Sequence, residues 1–239
     1  MKKFLFIALA ILTNATLFAQ EYNFPVKPGT VAWKQLKFHE EKVRVCQIPD
    51  GVLKAMSTKD LLQSCLNYPL LFDMYAYDNL QIGFSQMSEK FNGFAILRSR
   101  PDAATAIIDK YKKMDPDIVN TLKSEEDKGK FSMLLSATEI LISTDPILKQ
   151  LTNEQEKDLL KEILKKNNKK DINKEVFGAS GKMTLAYTAS KVLDKTGDKS
   201  WKSYIDNNPK AGVLSEKMII TSEEVINQVF LNVERILSN

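Results

Sequence analysis

The chain has 239 residues and a mass of 27.1 kDa, with 34 basic against 30 acidic side chains, one histidine and two cysteines. That length can bury a substantial core, and 44% hydrophobic with 27% charged residues excludes an intrinsically disordered chain. His39 alone excludes a two-histidine zinc motif, and adding both cysteines stops at three ligands where a structural zinc needs four. A carboxylate-rich calcium or magnesium site stays open on composition, although no Asp-x-Asp-x-Asp-Gly loop occurs; no metal and no cofactor are expected.

Lys2 and Lys3 precede an unbroken apolar run from Phe4 to Leu12, and Phe18-Ala19 offers a small residue for cleavage before Gln20. Residues 1–19 therefore read as a secretory signal peptide, its apolar run shorter than the ~20 residues that span a bilayer. The expected location is the periplasm, the cell surface or the exterior, without a membrane span. Removing Lys2 and Lys3 lowers the formal charge of +4 by two, which leaves a weak case for nucleic acid as a partner.

Residues 20–31 carry Pro25, Pro28 and Gly29 and read as an extended lead-in. Residues 32–239 read as a single all-α domain, an irregular multi-helix arrangement of roughly nine or ten helices. Leu80, Phe84, Met87 and Phe91 mark one helix face, and Ala104, Ile107, Ile108 and Tyr111 mark a second behind Pro101. Phe131, Leu134, Leu135, Leu141 and Ile142 form a longer stripe. Leu159, Leu160, Ile163 and Leu164 form a narrow one, and Ile226, Val229, Phe230, Val233 and Leu237 give the clearest. Thr152-x-x-Gln155 and Thr221-x-x-Glu224 read as capping boxes, with Ser57-x-x-Asp60 a weaker version. The best strand candidate, 212–221, is short and lacks a partner. The lysine-rich stretch 157–174 reads as a helix C-terminus running into a solvated loop, since no aromatic residue interleaves with its lysines.

A serine or cysteine nucleophile needs a base, and His39 sits in a charged helical stretch without a Gly-x-Ser-x-Gly elbow anywhere in the chain. Gly178 to Thr184 resembles a phosphate loop only faintly. Val176 stands where the first glycine belongs and Met183 where Ser or Thr should follow the lysine, so a turn feeding a helix is expected. Cys46 and Cys65, an even count in an exported chain, are expected to form a disulfide worth roughly 3 kcal/mol. Two buried thiols packed as small hydrophobes are the other reading, because Leu61, Leu62, Cys65 and Leu66 share a face.

Seven aromatics crowd the stretch from Tyr68 to Phe94, most at helical spacing that suits a core. Tyr77 falls off both stripes and, with Trp33 and Trp201, is the expected contact for a protein or carbohydrate partner.

Trp33-Lys34-Gln35-Leu36, His39-Glu40-Glu41, Cys46-Gln47-Ile48-Pro49, the run Cys65 to Asp73, and Phe91-Asn92-Gly93 together resemble a group of uncharacterised exported proteins of Bacteroides-like bacteria. The resemblance covers about residues 32–115 and implies export and a paired Cys46 and Cys65, but no activity and no site. The expected function is a non-enzymatic binding or interaction protein. The alternatives are a carboxylate-dependent hydrolase acting on an envelope or extracellular polymer, and a purely structural envelope component. A cleft with two carboxyl groups about 5 to 9 Å apart would favour the hydrolase, and a broad apolar groove the binder.

Overall fold

The computed structural model describes residues 21–238, so the expected signal peptide lies outside the described residues. From Glu21 to Thr30 the lead-in holds no helix or strand: it bends at Pro25–Val26 and turns over Lys27–Thr30, where the Thr30 N–H donates to the Lys27 carbonyl at 3.1 Å, and the Thr30 hydroxyl caps the first helix by accepting the Trp33 N–H. It is pinned by Tyr22, whose N–H donates to Ser64 Oγ at 2.7 Å, and by buried Phe24.

Four short helices follow, α1 (Val31–Gln35), α2 (His39–Val45), α3 (Asp50–Ala55) and α4 (Thr58–Leu66), and then a 3₁₀ segment at Leu71–Ala76. Next come α5 (Leu80–Glu89), α6 (Asn92–Ser99), α7 (Ala103–Lys113) and a second 3₁₀ segment at Pro116–Asn120. The remainder is α8 (Glu125–Ile142), α9 (Asp145–Leu148), α10 (Asn153–Ile172), α11 (Lys174–Thr196), α12 (Lys199–Asn207), α13 (Pro209–Lys217) and α14 (Glu223–Leu237).

The fold is all-α, with no strand among the described residues. The fourteen α-helices among the described residues exceed the nine or ten expected because the first third is cut into short pieces. Pro49 and Ser57 stand at helix starts there, and apolar periodicity cannot divide pieces under two turns. Gly212, read as the start of a possible strand, lies inside α13.

The expected stripes are the buried faces. Leu80, Phe84 and Met87 are buried on α5 and Ile226, Val229, Phe230 and Val233 on α14, where Leu237 is half-buried. Phe91, expected on the first face, is buried too but lies beyond the end of α5, at the N-cap of α6. Two of the three expected caps form where the spacing put them: Ser57 accepts from Asp60 N–H at 3.1 Å, and Thr152 makes a complete capping box with Gln155. The third shifts by one residue. Ser222 caps α14, while the Thr221 hydroxyl donates to the Lys210 carbonyl.

Helix α11 packs on α8 and α10, and α12, α13 and α14 close over it. Its first turn is broken at Gly178, which takes φ 55° and ψ −163°, a conformation that a β-carbon strongly disfavours. The run from Gly178 to Thr184 thus feeds a helix, as its failed phosphate-loop spacing implied.

The lysine-rich stretch corrects its sequence reading. Helix α10 continues to Ile172, and two of its lysines are inside: Lys166 is 1% exposed and Lys170 2%. Lys170 Nζ donates to both Glu139 carboxylate oxygens, at 2.7 and 2.9 Å, and to the Gly181 carbonyl at 2.9 Å. Tyr111 and Thr184 hydroxyls also donate to that carboxylate. Lys166 Nζ donates to the Met114 carbonyl at 2.6 Å, pairs with Glu162 at 2.8 Å and lies 4.6 Å from the centre of the Tyr111 ring. Burial lowers the pKa of both lysines and raises that of Tyr111 well above the ordinary value. These groups tie α7, α8, α10 and α11 into one polar layer with satisfied partners, as a buried charge requires.

Candidate functional site

The segment Tyr68–Tyr77 separates two surface depressions. Pro69 and the 3₁₀ turn after it set the chain's course, and α5 presses so close that a β-carbon on Gly83 would lie 2.1 Å from the Met74 carbonyl oxygen. Side chains along this rigid segment therefore project to either side.

On one side is a cleft of about 510 Å³ lined by His39, Glu40, Asp73, Tyr77 and Lys90 among others. His39 Nε2 and Asp73 Oδ2 are 2.8 Å apart, and both side chains remain well exposed. Tyr77, 39% exposed, stands here as expected of a residue off the helical stripes. No serine, threonine or cysteine lines the cleft, so the His–Asp pair has no aliphatic hydroxyl or thiol beside it to activate.

On the other side runs a larger groove of about 790 Å³. One wall is the lead-in, with Tyr22 and Phe24 edge-to-face at 5.0 Å between ring centres. The floor comes from the end of α4 and the 3₁₀ segment, through Leu66, Tyr68, Leu71 and Phe72. Ile118, Leu122, Phe131 and Leu134 form the far wall, and Glu21, Lys27, Asp127 and Lys130 place charges at the rim. Tyr68 is held from beneath by stacking on Phe91 at 4.1 Å, while Phe72 and Phe131 are half-buried and Ile118 is 42% exposed.

The other expected contacts fall elsewhere. Trp201 is a correction: it is 1% exposed, because its indole N–H donates to Asp194 Oδ1 at 2.7 Å and its ring lies against Tyr204. Trp33 is half-buried under the Lys42 ammonium, 5.3 Å from its ring centre, and lines neither depression. The disulfide is a second correction. Cys46 and Cys65 are separate buried thiols, each in its own environment. Cys46 Sγ points to the Val26 carbonyl at 3.8 Å, whereas Cys65 packs against α6 at Gly93. Burial pushes the Cys46 thiol up to about 11 and raises Cys65 as well, which keeps both protonated and unreactive.

Asp194 is an acid held above the ordinary carboxylate range, by desolvation of the carboxyl that receives Trp201, although the residue keeps an exposed flank. It lines neither depression. Among the described residues no group of three or more His, Cys, Asp or Glu side chains is arranged to hold a metal ion, and no helix is long and apolar enough to cross a membrane.

Sequence reasoning passed over Tyr22, Phe24 and Ile118, and placed Phe131 on a helical core stripe. The legible signal was the aromatic pair Tyr22-x-Phe24 in a proline-bearing lead-in, since large apolar groups in an extended segment must find cover from the folded body. In comparisons with known proteins, the chain matches no family model, no curated protein and no solved structure.

Proposed function

We propose that this chain is an exported, non-enzymatic binding protein whose groove between the lead-in, the Tyr68–Phe72 segment and α8 receives an apolar, aromatic-bearing segment of a protein partner. The observation that carries the reading is the groove itself, aromatic or aliphatic on both walls and charged only at its rim. Such an apolar centre with a polar border is the anatomy of a protein-binding patch. Export is supported by the basic and apolar pattern of residues 2–19 and by the resemblance over residues 32–115. The hydrolase reading gains little support, because an acid with a raised pKa stands away from both depressions.

Selection of displayed random peptides against the chain lacking residues 1–19 tests the proposal. Selected peptides should converge on two or more aromatic or large aliphatic residues and should compete with one another for a single site. Convergence on charged sequences without an apolar residue would overturn it.

A further inference from the structure

A separate cleft of about 450 Å³ lies between α5, α6, the α8–α9 junction and α11. Two opposite charges line it, and neither has an ionic partner among the described residues. Arg98, half-buried, donates through Nη2 to Ser88 Oγ at 2.6 Å, and its Nε is buried without a partner. Glu216, near the end of α13, is exposed and its carboxylate makes no ion pair or hydrogen bond among the described residues. The two share the cleft without pairing to each other.

Tyr187 supplies a second donor. It is 3% exposed, lines the same cleft, and its hydroxyl bonds to no protein group among the described residues. Burial pushes that phenol up to about 12, which keeps it protonated and able to donate. The remaining charges of the lining, Lys191 and Asp145, lie 3.7 Å apart and offset one another.

The Arg98 guanidinium, with a single side-chain acceptor in Ser88, and the Tyr187 hydroxyl, bonded to no protein group among the described residues, are two donors that a bound carboxylate would receive. A bare anion suits the cleft poorly, because it would meet the unpaired Glu216 as well as Arg98. We propose that this cleft binds a small zwitterion of the amino-acid type, its carboxylate on Arg98 and Tyr187 and its ammonium on Glu216. Phe84, Ile140 and Pro146 in the same lining offer apolar surface to a side chain. The site is distinct from the aromatic groove and does not depend on that reading.

Calorimetric titration of the chain lacking residues 1–19 tests it, with L-leucine, L-phenylalanine and L-glutamine as probes. At least one should bind saturably, with its deaminated acid and its decarboxylated amine each weaker by about tenfold or more, roughly the loss of one charged contact. Arg98→Gln and Tyr187→Phe should each weaken binding, and Glu216→Gln should do so by about tenfold without shifting the melting temperature, because that side chain is exposed. No binding by any probe would overturn the proposal. So would equal binding of the deaminated acid or of inorganic phosphate, or a Glu216→Gln variant that binds as the parent does.

Discussion

Removing the Lys170 ammonium would leave the Glu139 carboxylate buried with the Tyr111 and Thr184 hydroxyls still donating to it but without its directly bonded cation. Lys170→Met is therefore expected to lose about 3 to 5 kcal/mol of stability in urea unfolding, and Lys170→Met combined with Glu139→Leu should recover most of it. A single variant as stable as the parent would remove the polar layer from the account of the core. Asp198 gives a pH dependence. Arg235 beside it holds its carboxyl below the ordinary aspartate value of 3.8, so the folded state stays ionised where the unfolded chain takes up a proton. Its contribution is present above about 3.8 and is lost as pH falls through the folded value, and Asp198→Asn should flatten urea midpoints measured between pH 5 and 3. Both cysteines should react with an alkylating agent in denaturant without any reductant, and a mass unchanged by alkylation would restore the disulfide. The lysines show what the sequence could and could not tell. Leu159, Ile163, Lys166 and Lys170 follow the i, i+4, i+7, i+11 spacing of one helix face, so the apolar stripe was continued by lysines. Their burial was not legible, because it depends on Glu139 and Glu162 and on the Met114 carbonyl arriving within reach. The Cys46 and Cys65 pairing failed for a similar reason: count and compartment say nothing about which way two sulfurs point.

Helices with long apolar stripes were legible because burial and periodicity coincide, as in α5 and α14. Short ones were not. α1, α2, α3 and α9 have four to seven residues, too few to show a repeat; Thr30 caps α1 and Glu41 caps α2, while α3 and α9 have no side-chain cap and depend on tertiary contact. The 3₁₀ segment and α5 meet backbone to backbone at Gly83 and Met74. Gly83→Ala would drive a methyl into the Met74 carbonyl, with an expected cost of about 3 kcal/mol and a lowered thermal midpoint. The same change should disturb the groove and the His39–Asp73 cleft together, since Phe72 and Asp73 stand on the displaced segment. An unchanged midpoint would mean that α5 can retreat from the turn at little cost.

The whole chain places its aromatic groove where three separate parts of the sequence meet: the lead-in, the Leu66–Phe72 stretch and the second 3₁₀ segment with α8. No local window contains that site, which is why the all-α class could be read from periodicity while the groove could not. The aromatic crowding from Tyr68 to Phe94 did point to the right neighbourhood. It divides, with Phe84, Phe91 and Phe94 in the core, Phe72 in the groove and Tyr77 in the cleft beyond. The groove and the cleft make different claims on a partner, and a single comparison separates them. For a peptide selected on the parent chain, the dissociation constant measured by calorimetry for Ile118→Asp should rise by about tenfold or more, while Tyr77→Ala should leave it unchanged. Ile118 is exposed enough for the charge to be tolerated by the fold. Loss of affinity in Tyr77→Ala with full affinity in Ile118→Asp would contradict the account.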